Sequence, residues 1–348
     1  MVRGRTDRSV PQGFPATTGG EHMRVRNVVS TVLAVTVGAM GLITLAGTSG
    51  ASQPARAGKA PEPYYLSLGD SYSIGYQPTL PGSGGSPGYT AVVAKKQKLT
   101  LENFGCGGAT TASILYGFPV TGVPGSGTAS DPTPGCGDPA ASSGVSYPGT
   151  TQEQAAVAFI GQPANAGKVS LVTISISGND VTACAGAVPP ATPISCVGTA
   201  VGTISTNVTT LVTDVRTALD ANGDGSARIV GLTYPDVLLG TEVYPTTDLT
   251  SPLAGESVLA FDDLINPALS AVYTSVAHGS FVNVTSAPYK KATSGDDSTA
   301  LVNLSPYGKV SAALWEVCTL TYFCSLGNIH ANTKGYKFIG GLIVAKLA

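Results

Sequence analysis

Residues 169 to 176 form a dense run of β-branched and aliphatic side chains that does not alternate between apolar and polar faces. Such a run is typical of a strand buried on both faces of a parallel sheet. Apolar residues then recur at spacings of three and four from Val201 to Leu219, which predicts an amphipathic helix. A further apolar strand follows at 228–232. Strands that alternate with helices predict a doubly wound α/β fold.

The same patterns predict the remaining elements. Strands are predicted at 64–68, 99–104 and 281–284, and helices at 88–97, 151–160, 258–276 and 333–346. The segment 117–149 is rich in Gly, Pro and Ser and predicts a long surface loop. Ligands of doubly wound folds bind beyond the carboxyl ends of the strands. The polar pairs Asp70-Ser71 and Asn179-Asp180 are therefore expected to meet at one edge.

The N-terminal segment reads as a targeting signal. Arg24 and Arg26 precede an uncharged run over 28–46, and small residues lead to Ala55-Arg56-Ala57. A basic flank, an apolar centre and a small-residue exit predict a secretory signal peptide. A membrane anchor is the alternative, because the run is nearly long enough to span a bilayer. Met23 is an alternative start and Ala51 an alternative cleavage position.

We therefore expect residues 1–57 to be an upstream extension with a signal peptide, and residues 58–348 to be one secreted, monomeric domain without membrane insertion after cleavage. Six of the 19 basic and two of the 21 acidic side chains lie in 1–57, which leaves 13 and 19, a net charge of −6. An acidic chain without basic clusters argues against nucleic-acid binding.

Six cysteines all lie after residue 57. An even number in an exported chain favours disulfides over free thiols. We predict that neighbours in sequence pair: Cys106 with Cys136, Cys184 with Cys196, and Cys318 with Cys324. A metal site is disfavoured, because no CxxC pair occurs and residues 58–348 contain only two histidines.

Ser71 follows the first predicted strand in the segment Gly69-Asp70-Ser71. A serine hydroxyl at such a position becomes a nucleophile only if a base takes its proton. By itself the tripeptide is also a common turn. His330, just before the last helix, is the candidate base, whereas His278, between a helix and a strand, is predicted to be structural.

Acyl transfer also needs donors for the negative charge that develops on the carbonyl oxygen. The glycine-rich segment 103–111 follows the second strand and offers an unobstructed backbone. Asn179 offers a side-chain amide after the third strand. Taken singly, the glycines could form turns and Asn179 could cap a helix.

Together these segments resemble the SGNH (GDSL-like) hydrolase family. The resemblance rests on four blocks in the family's order: Gly69-Asp70-Ser71-Tyr72-Ser73, Asn103 to Thr111, Gly178-Asn179-Asp180, and His330-Ala331-Asn332-Thr333-Lys334-Gly335-Tyr336. It implies a three-layer α/β/α fold with a flavodoxin-like sheet of about five parallel strands in the order 2-1-3-4-5. It also implies Ser71 as nucleophile, His330 as base, and an oxyanion hole of Ser71, Gly108 and Asn179, with no cofactor.

The chain departs from the family's pattern at one position. The family usually has Asp three residues before the histidine, and here that residue is Gly327. The main-chain carbonyl near Gly327 is our first candidate for orienting His330, with Asn328 or the distant Asp297 as alternatives. A carbonyl carries no full charge, so it should stabilise an imidazolium less than a carboxylate does.

Two further segments have competing interpretations. Residues 220–225 resemble the front half of a calcium loop, but Gly231 stands where the glutamate ligand is expected, so we predict a helix-to-strand turn. Tyr234-Pro235-Asp236 either lines the active-site edge or forms a proline turn, and we favour the turn.

The sequence therefore predicts a secreted carboxylic-ester hydrolase acting on a small-molecule or lipid ester. Lipase, short-chain esterase and carbohydrate deacetylase all remain open. The alternative is a non-catalytic exported module on the same scaffold that binds a glycan or lipid, and its only support is the missing Asp.

Overall fold

The computed structural model describes residues 62–80, 87–117, 136, 143–186, 192–244, 253–285 and 300–348. The predicted signal peptide, its cleavage sites and Asp297 lie outside the described residues, as does most of the loop predicted over 117–149.

Five strands form one parallel sheet. They are β1 (Tyr64–Gly69), β2 (Thr100–Asn103), β3 (Val169–Ser175), β4 (Arg228–Leu232) and β5 (Gly279–Val282). Their order is β2-β1-β3-β4-β5, with every neighbouring pair parallel. The predicted fold class and strand order are confirmed. A separate antiparallel hairpin, β6 (Leu301–Leu304) and β7 (Gly308–Ser311), lacks a strong apolar pattern and was not predicted.

Ten α-helical segments surround or connect these strands in the described part of the chain. They are α1 (Gly88–Gln97), α2 (Thr111–Tyr116), α3 (Gln152–Ile160), α4 (Gly178–Thr182), α5 (Pro193–Ala221), α6 (Leu253–Leu259), α7 (Asn266–Thr274), α8 (Ala312–Leu320), α9 (Phe323–Leu326) and α10 (Thr333–Leu347).

The sheet lies between two helical layers. Leu66 and Leu68 of β1 belong to one buried cluster, with α3, α5 and α7. Tyr65, between them, points to the other side and packs with α1 and α10. Successive side chains of a strand face opposite sides of a sheet. The structure is thus the three-layer α/β/α arrangement.

Two helices differ from the sequence prediction. The stripe over 201–219 belongs to the longer α5, which begins after Thr192, whose side chain accepts a hydrogen bond from the Ser195 N–H. Small residues dilute the apolar pattern in its first turns. The helix predicted over 258–276 runs from α6 through a π-helical turn, Ala260–Ile265, into α7. Pro267 has no N–H to donate to the preceding turn, so regular α-helical bonding is interrupted there.

All three predicted disulfides are present. The Cα–Cα distances are 5.6 Å for Cys106–Cys136, 5.5 Å for Cys184–Cys196 and 5.1 Å for Cys318–Cys324. These values lie within the range that a disulfide requires. None of the described helices has both the length and the apolar character needed to cross a membrane.

Gly69 ends β1 at a position where the backbone leaves no room for a side chain. Its φ is +137°, and a Cβ atom there would lie 2.0 Å from the carbonyl oxygen of Ser175 in β3. The Gln152 side chain also binds the Gly69 main chain, accepting from its N–H at 2.6 Å and donating to its carbonyl at 3.1 Å. Gly69 thereby sets the direction in which the chain leaves the sheet toward Ser71.

We expect Gly69→Ala to lower the free energy of unfolding by about 3 kcal/mol or more, because the added methyl group collides with main-chain atoms. Chemical denaturation measures this change. Gly198→Ala in α5 is the control, since a Cβ there meets nothing within 4 Å. A Gly69→Ala variant as stable as the parent protein would contradict this account of the turn.

Candidate active site

Ser71 lies in a tight turn at the carboxyl end of β1. The Asp70 carbonyl accepts hydrogen bonds from the N–H groups of Ser73 and Ile74, and the Asp70 carboxylate accepts from the Tyr72 N–H at 2.9 Å. Ser71 is half-buried, whereas the residues on either side are buried. The segment is therefore the predicted turn, and the turn leaves the Ser71 side chain accessible.

His330 reaches this turn from the other end of the chain. Its Nε2 lies 2.8 Å from the Ser71 Oγ. The Tyr72 hydroxyl donates to the Ile329 carbonyl at 2.6 Å, and the Tyr76 ring centroid is 4.5 Å from that of the imidazole. The structure thus brings together the two residues that the sequence assigned to nucleophile and base.

The His330 imidazole is paired with the Asn328 side chain, the alternative candidate, and not with the main-chain carbonyl near Gly327. The Asn328 Oδ1 accepts from the His330 main-chain N–H at 3.1 Å and lies 2.7 Å from the His330 Nδ1. An asparagine commonly bonds the backbone two residues ahead in this way. That local turn brings the same oxygen beside the ring, so the Gly327 carbonyl is not needed.

This geometry defines the proton positions on His330. A main-chain N–H can only donate, so the Asn328 atom that it contacts must be the amide oxygen. The same oxygen faces Nδ1, which therefore carries the ring proton. The lone pair of Nε2 then faces the Ser71 hydroxyl, the arrangement that a general base requires.

We expect Asn328→Ala to lower kcat for ester hydrolysis about 100-fold, because the imidazole loses its orientation and its preferred tautomer. Steady-state kinetics measures this loss. Asn328→Asp restores an acceptor at the same place and should recover most of the activity. Equal activity of Asn328→Ala and the parent protein would show that Asn328 does not position His330.

The predicted oxyanion donors lie around the same point. Neither the Ser71 nor the Gly108 main-chain N–H has an acceptor among the described residues. Gly108 has a φ of +77°, and a Cβ built on it meets nothing within 4 Å, so its backbone is open to a ligand. The Asn179 side chain donates one N–H to the Ala109 carbonyl at 2.8 Å, which leaves its second N–H for another acceptor.

The side chains of the four blocks connect to one another. Asn103 donates to the Ser73 carbonyl at 2.9 Å, which joins the glycine segment to the Ser71 turn. The Asp180 carboxylate accepts from the N–H and hydroxyl of Thr111 at the start of α2. Asp180 therefore ties the asparagine segment to the glycine segment, a role that its spacing in the sequence does not reveal.

Tyr234 is a site residue that the sequence interpretation assigned wrongly. Its hydroxyl donates to the Asp70 Oδ2 at 2.6 Å, and its ring lies edge-on to that of Tyr72 at 4.9 Å. Its position directly after β4 was the available signal, since the carboxyl ends of parallel strands meet at one edge. The neighbouring proline favoured a turn and masked it.

The other two interpretations hold. His278 lies between α7 and β5, at the amino end of its strand and thus at the edge of the sheet opposite Ser71, where its carbonyl accepts from the Ile229 N–H. Residues 222–225 form a helix-to-strand turn. Asp220 pairs with Arg216 at 2.8 Å, and Asp224 accepts from the Val169 N–H at 2.8 Å.

Burial changes the ionisation of two groups at the site. It lowers the pKa of His330 to about 4, because removal from water disfavours the charged imidazolium. It also raises the pKa of Asp70 to about 7, against the lowering effect of the Tyr234 hydrogen bond. At neutral pH the His330 imidazole beside Ser71 is therefore uncharged.

A cleft of about 810 Å³, including space open to solvent, adjoins the site. Ser71 and Asn179 line it together with Tyr72 and Tyr234. The other walls are mainly apolar and come from the segments between β3 and β5: Val181, Ile194, Val197, Leu238, Leu253, Ala260, Phe261 and Ile265. Pro193 and the Cys184 side of the disulfide complete the wall on the β3 side.

Several solved structures are similar to this chain. The lipase Lip_vut3 from a goat rumen metagenome is 12% identical, with 81% of this chain and 96% of that chain covered and a TM-score of 0.44. The extracellular lipase of Streptomyces rimosus is 18% identical, with 74% and 98% covered and a TM-score of 0.36. The acetylxylan esterase Axe2 of Geobacillus stearothermophilus, a catalytic mutant, is 12% identical, with 83% and 95% covered and a TM-score of 0.43.

No curated protein sequence matches the chain at a significant level. The family model of the GDSL-like lipases and acylhydrolases matches residues 67–338, which contain Ser71, Gly108, Asn179 and His330. The match covers most of the chain and all four sequence blocks. The chain belongs to the GDSL-like lipase/acylhydrolase family and is a hydrolase of the SGNH type.

Proposed function

We propose that this protein is an exported carboxylic-ester hydrolase that works through an acyl-enzyme on Ser71. The observation that carries the proposal is the 2.8 Å contact between the Ser71 Oγ and the His330 Nε2, with the tautomer set by Asn328. A hydroxyl bonded to an unprotonated imidazole nitrogen is the activated form of a serine nucleophile.

The chemistry proceeds in two halves. The Ser71 Oγ attacks the ester carbonyl while His330 takes its proton, and the negative charge on the carbonyl oxygen is held by the N–H groups of Ser71, Gly108 and Asn179. His330 then gives the proton to the leaving alcohol. In the second half His330 takes a proton from water, the hydroxyl attacks the acyl carbon, and the proton returns to Ser71 as the acid leaves.

Asn328 supplies a neutral amide oxygen where a carboxylate is more usual. It holds the imidazole in place but adds no negative charge to stabilise the imidazolium. Burial of the His330 imidazole disfavours the imidazolium as well, because it removes the ring from water. The His330 imidazole is thus a weaker base than an ordinary histidine, and it stays unprotonated until the pH falls to about 4.

We expect the acid limb of the pH profile of kcat/KM to lie near pH 4, because the burial-lowered pKa of His330 is about 4. The base works only when neutral, so activity is full above this pKa and is lost below it. In Asn328→Asp the limb should move to higher pH, because a carboxylate stabilises the imidazolium. An acid limb near pH 6.5 in the parent protein would contradict this prediction.

Labelling with a fluorophosphonate tests the proposal directly. The reagent should modify Ser71, as located by mass spectrometry of peptides, and should abolish turnover of a p-nitrophenyl ester. A protein that binds a glycan or lipid without labelling or turnover would instead be the non-catalytic module. The only support for that alternative is the absence of an aspartate three residues before His330. The contact of the Asn328 oxygen with the His330 Nδ1 weighs against it, because Asn328 supplies the missing acceptor.

We further propose that residues 1–57 direct export, that residues 58–348 form a single domain, and that the mature protein is a monomer. All six cysteines are paired in disulfides, which persist in oxidising compartments. Mass spectrometry of the protein from the culture medium should find an N-terminus at or before residue 58. Retention of the intact chain in the membrane would favour the anchor.

A further inference from the structure

We infer that the cleft beside Ser71 binds an extended apolar acyl chain, so that the preferred substrates are esters of medium-chain or longer fatty acids. This inference rests on the proposed function and names the substrate class of that site. It is carried by the way the polar groups of the cleft are used within the protein.

The hydroxyl groups that line the cleft already donate to the protein itself. Tyr234 donates to Asp70 at 2.6 Å, and Tyr72 donates to the Ile329 carbonyl at 2.6 Å. Thr182, which is exposed, donates to the Gly178 carbonyl at 2.7 Å. A fourth hydroxyl, of Ser257, lies 2.9 Å from Asp236 and 2.8 Å from a main-chain carbonyl.

A sugar that enters such a cleft would lose hydrogen bonds to water, whereas these four hydroxyl groups have no free O–H to donate to it and can only accept, and burying underpaired hydroxyls is costly. Glu256 is the exception, because it lines the cleft and its Oε2 has no partner among the described residues. One carboxylate cannot satisfy the several hydroxyls of a sugar. An alkyl chain needs no partners and gains from every methylene that leaves water.

Two apolar walls of the cleft face the acyl chain. A disulfide fixes one wall, and a π-helical turn fixes the other. On one side the Cys184–Cys196 disulfide joins the segment after α4 to the first turn of α5, which carries Ile194. On the other side the π-helical turn carries Ala260, Phe261 and Ile265. The hydrogen bonds of a π-helix join residues five apart, so position 265 lies one turn beyond 260 and 261, and all three side chains line the cleft.

The size of the cleft suits a chain of this kind. The space between its walls, including space open to solvent, is about 810 Å³, and the cleft is open at one side, so an extended acyl chain can enter beside Ser71. Each methylene buried in an apolar site favours the transition state about fourfold. Because only part of the acyl chain is expected to be buried, we expect kcat/KM to rise about 100-fold from an acetyl to an octanoyl ester.

The test compares p-nitrophenyl acetate, butyrate and octanoate on the parent protein and on variants that fill the cleft. Ile194→Trp and Leu238→Trp each place a large ring in the cleft, at half-buried positions. We expect each to lower kcat/KM for octanoate about 30-fold while acetate changes less than threefold. Leu259→Trp is the matched control, since Leu259 is 54% exposed and does not line the cleft.

Binding without turnover separates this inference from the proposed mechanism. Calorimetry on Ser71→Ala compares 2-decanone with acetone, two uncharged mimics of the ester carbonyl, and we expect 2-decanone to bind at least 100-fold more tightly. Equal binding of the two ketones, with turnover greatest for acetate, would overturn the acyl-chain site and leave the catalytic function standing. Tight binding of 2-decanone to a protein that hydrolyses no ester would overturn the mechanism and leave the acyl-chain site.

Discussion

Ser71→Ala is expected to lower kcat for ester hydrolysis by about 10⁵-fold, the largest effect of any substitution considered for this chain. The alanine removes the hydroxyl that forms the acyl-enzyme in the proposed mechanism, while the proposed oxyanion donors and the cleft remain. The residual rate comes from those groups acting on water. Single-turnover and steady-state kinetics with a p-nitrophenyl ester measure the loss.

Folding should be almost unaffected by the same change. The Ser71 side chain is half-buried and its hydrogen bond is to His330, so the thermal midpoint should shift by no more than about 2 °C. Ser73→Ala is the matched control in the same turn. Its buried hydroxyl donates to the Asp70 carbonyl at 2.6 Å and does not contact the imidazole.

The control should therefore give the opposite pattern, with stability lowered by about 1 kcal/mol and activity changed less than tenfold. If Ser71→Ala kept more than a tenth of the parent activity, Ser71 would not be the nucleophile. If Ser73→Ala lost as much activity as Ser71→Ala, the effect would belong to the turn as a whole.

His330→Asn is expected to lower kcat by about 10⁴-fold, because no other described group at the Ser71 hydroxyl can take its proton at neutral pH. The variant should also lose the acid limb near pH 4 that the parent protein shows. Its reactivity toward fluorophosphonate should fall in parallel, since that reaction needs the same activated hydroxyl.

The matched control uses the other histidine of the domain. His278 has a φ of +57°, which asparagine tolerates better than most residues, so His278→Asn preserves the backbone. We expect its activity and pH profile to match those of the parent protein. A pH profile that changed in His278→Asn and not in His330→Asn would reverse the assignment of the base.

Much of the scaffold could be predicted from the sequence because it depends on local patterns. The uninterrupted run at β3 and the stripe of α5 are set by the periodicity of each segment, and both elements occur where they were predicted. The helix around 260–265 was predicted only in outline. Its π-helical turn depends on the proline that follows and on the tertiary packing around it, and a 3.6-residue period in the sequence predicts neither.

The active site divides in the same way. Ser71 and His330 are 259 residues apart, and the resemblance of the four blocks to the SGNH family implies that they meet. From the sequence, Asn328 is only an alternative partner for His330 and Tyr234 is less favoured than a turn, because the identity of a hydrogen-bond partner depends on side-chain direction.

By itself, then, the sequence predicted the succession of strands and helices from their periodicity and the disulfides as pairs of neighbouring cysteines, and its resemblance to the SGNH family implied Ser71 as nucleophile and His330 as base. Only the tertiary structure decided which group orients His330, that Tyr234 holds Asp70 at the floor of the site, and that the cleft is apolar. Those features depend on contacts between segments distant in the chain, where distance and direction select one partner among several that the sequence allows.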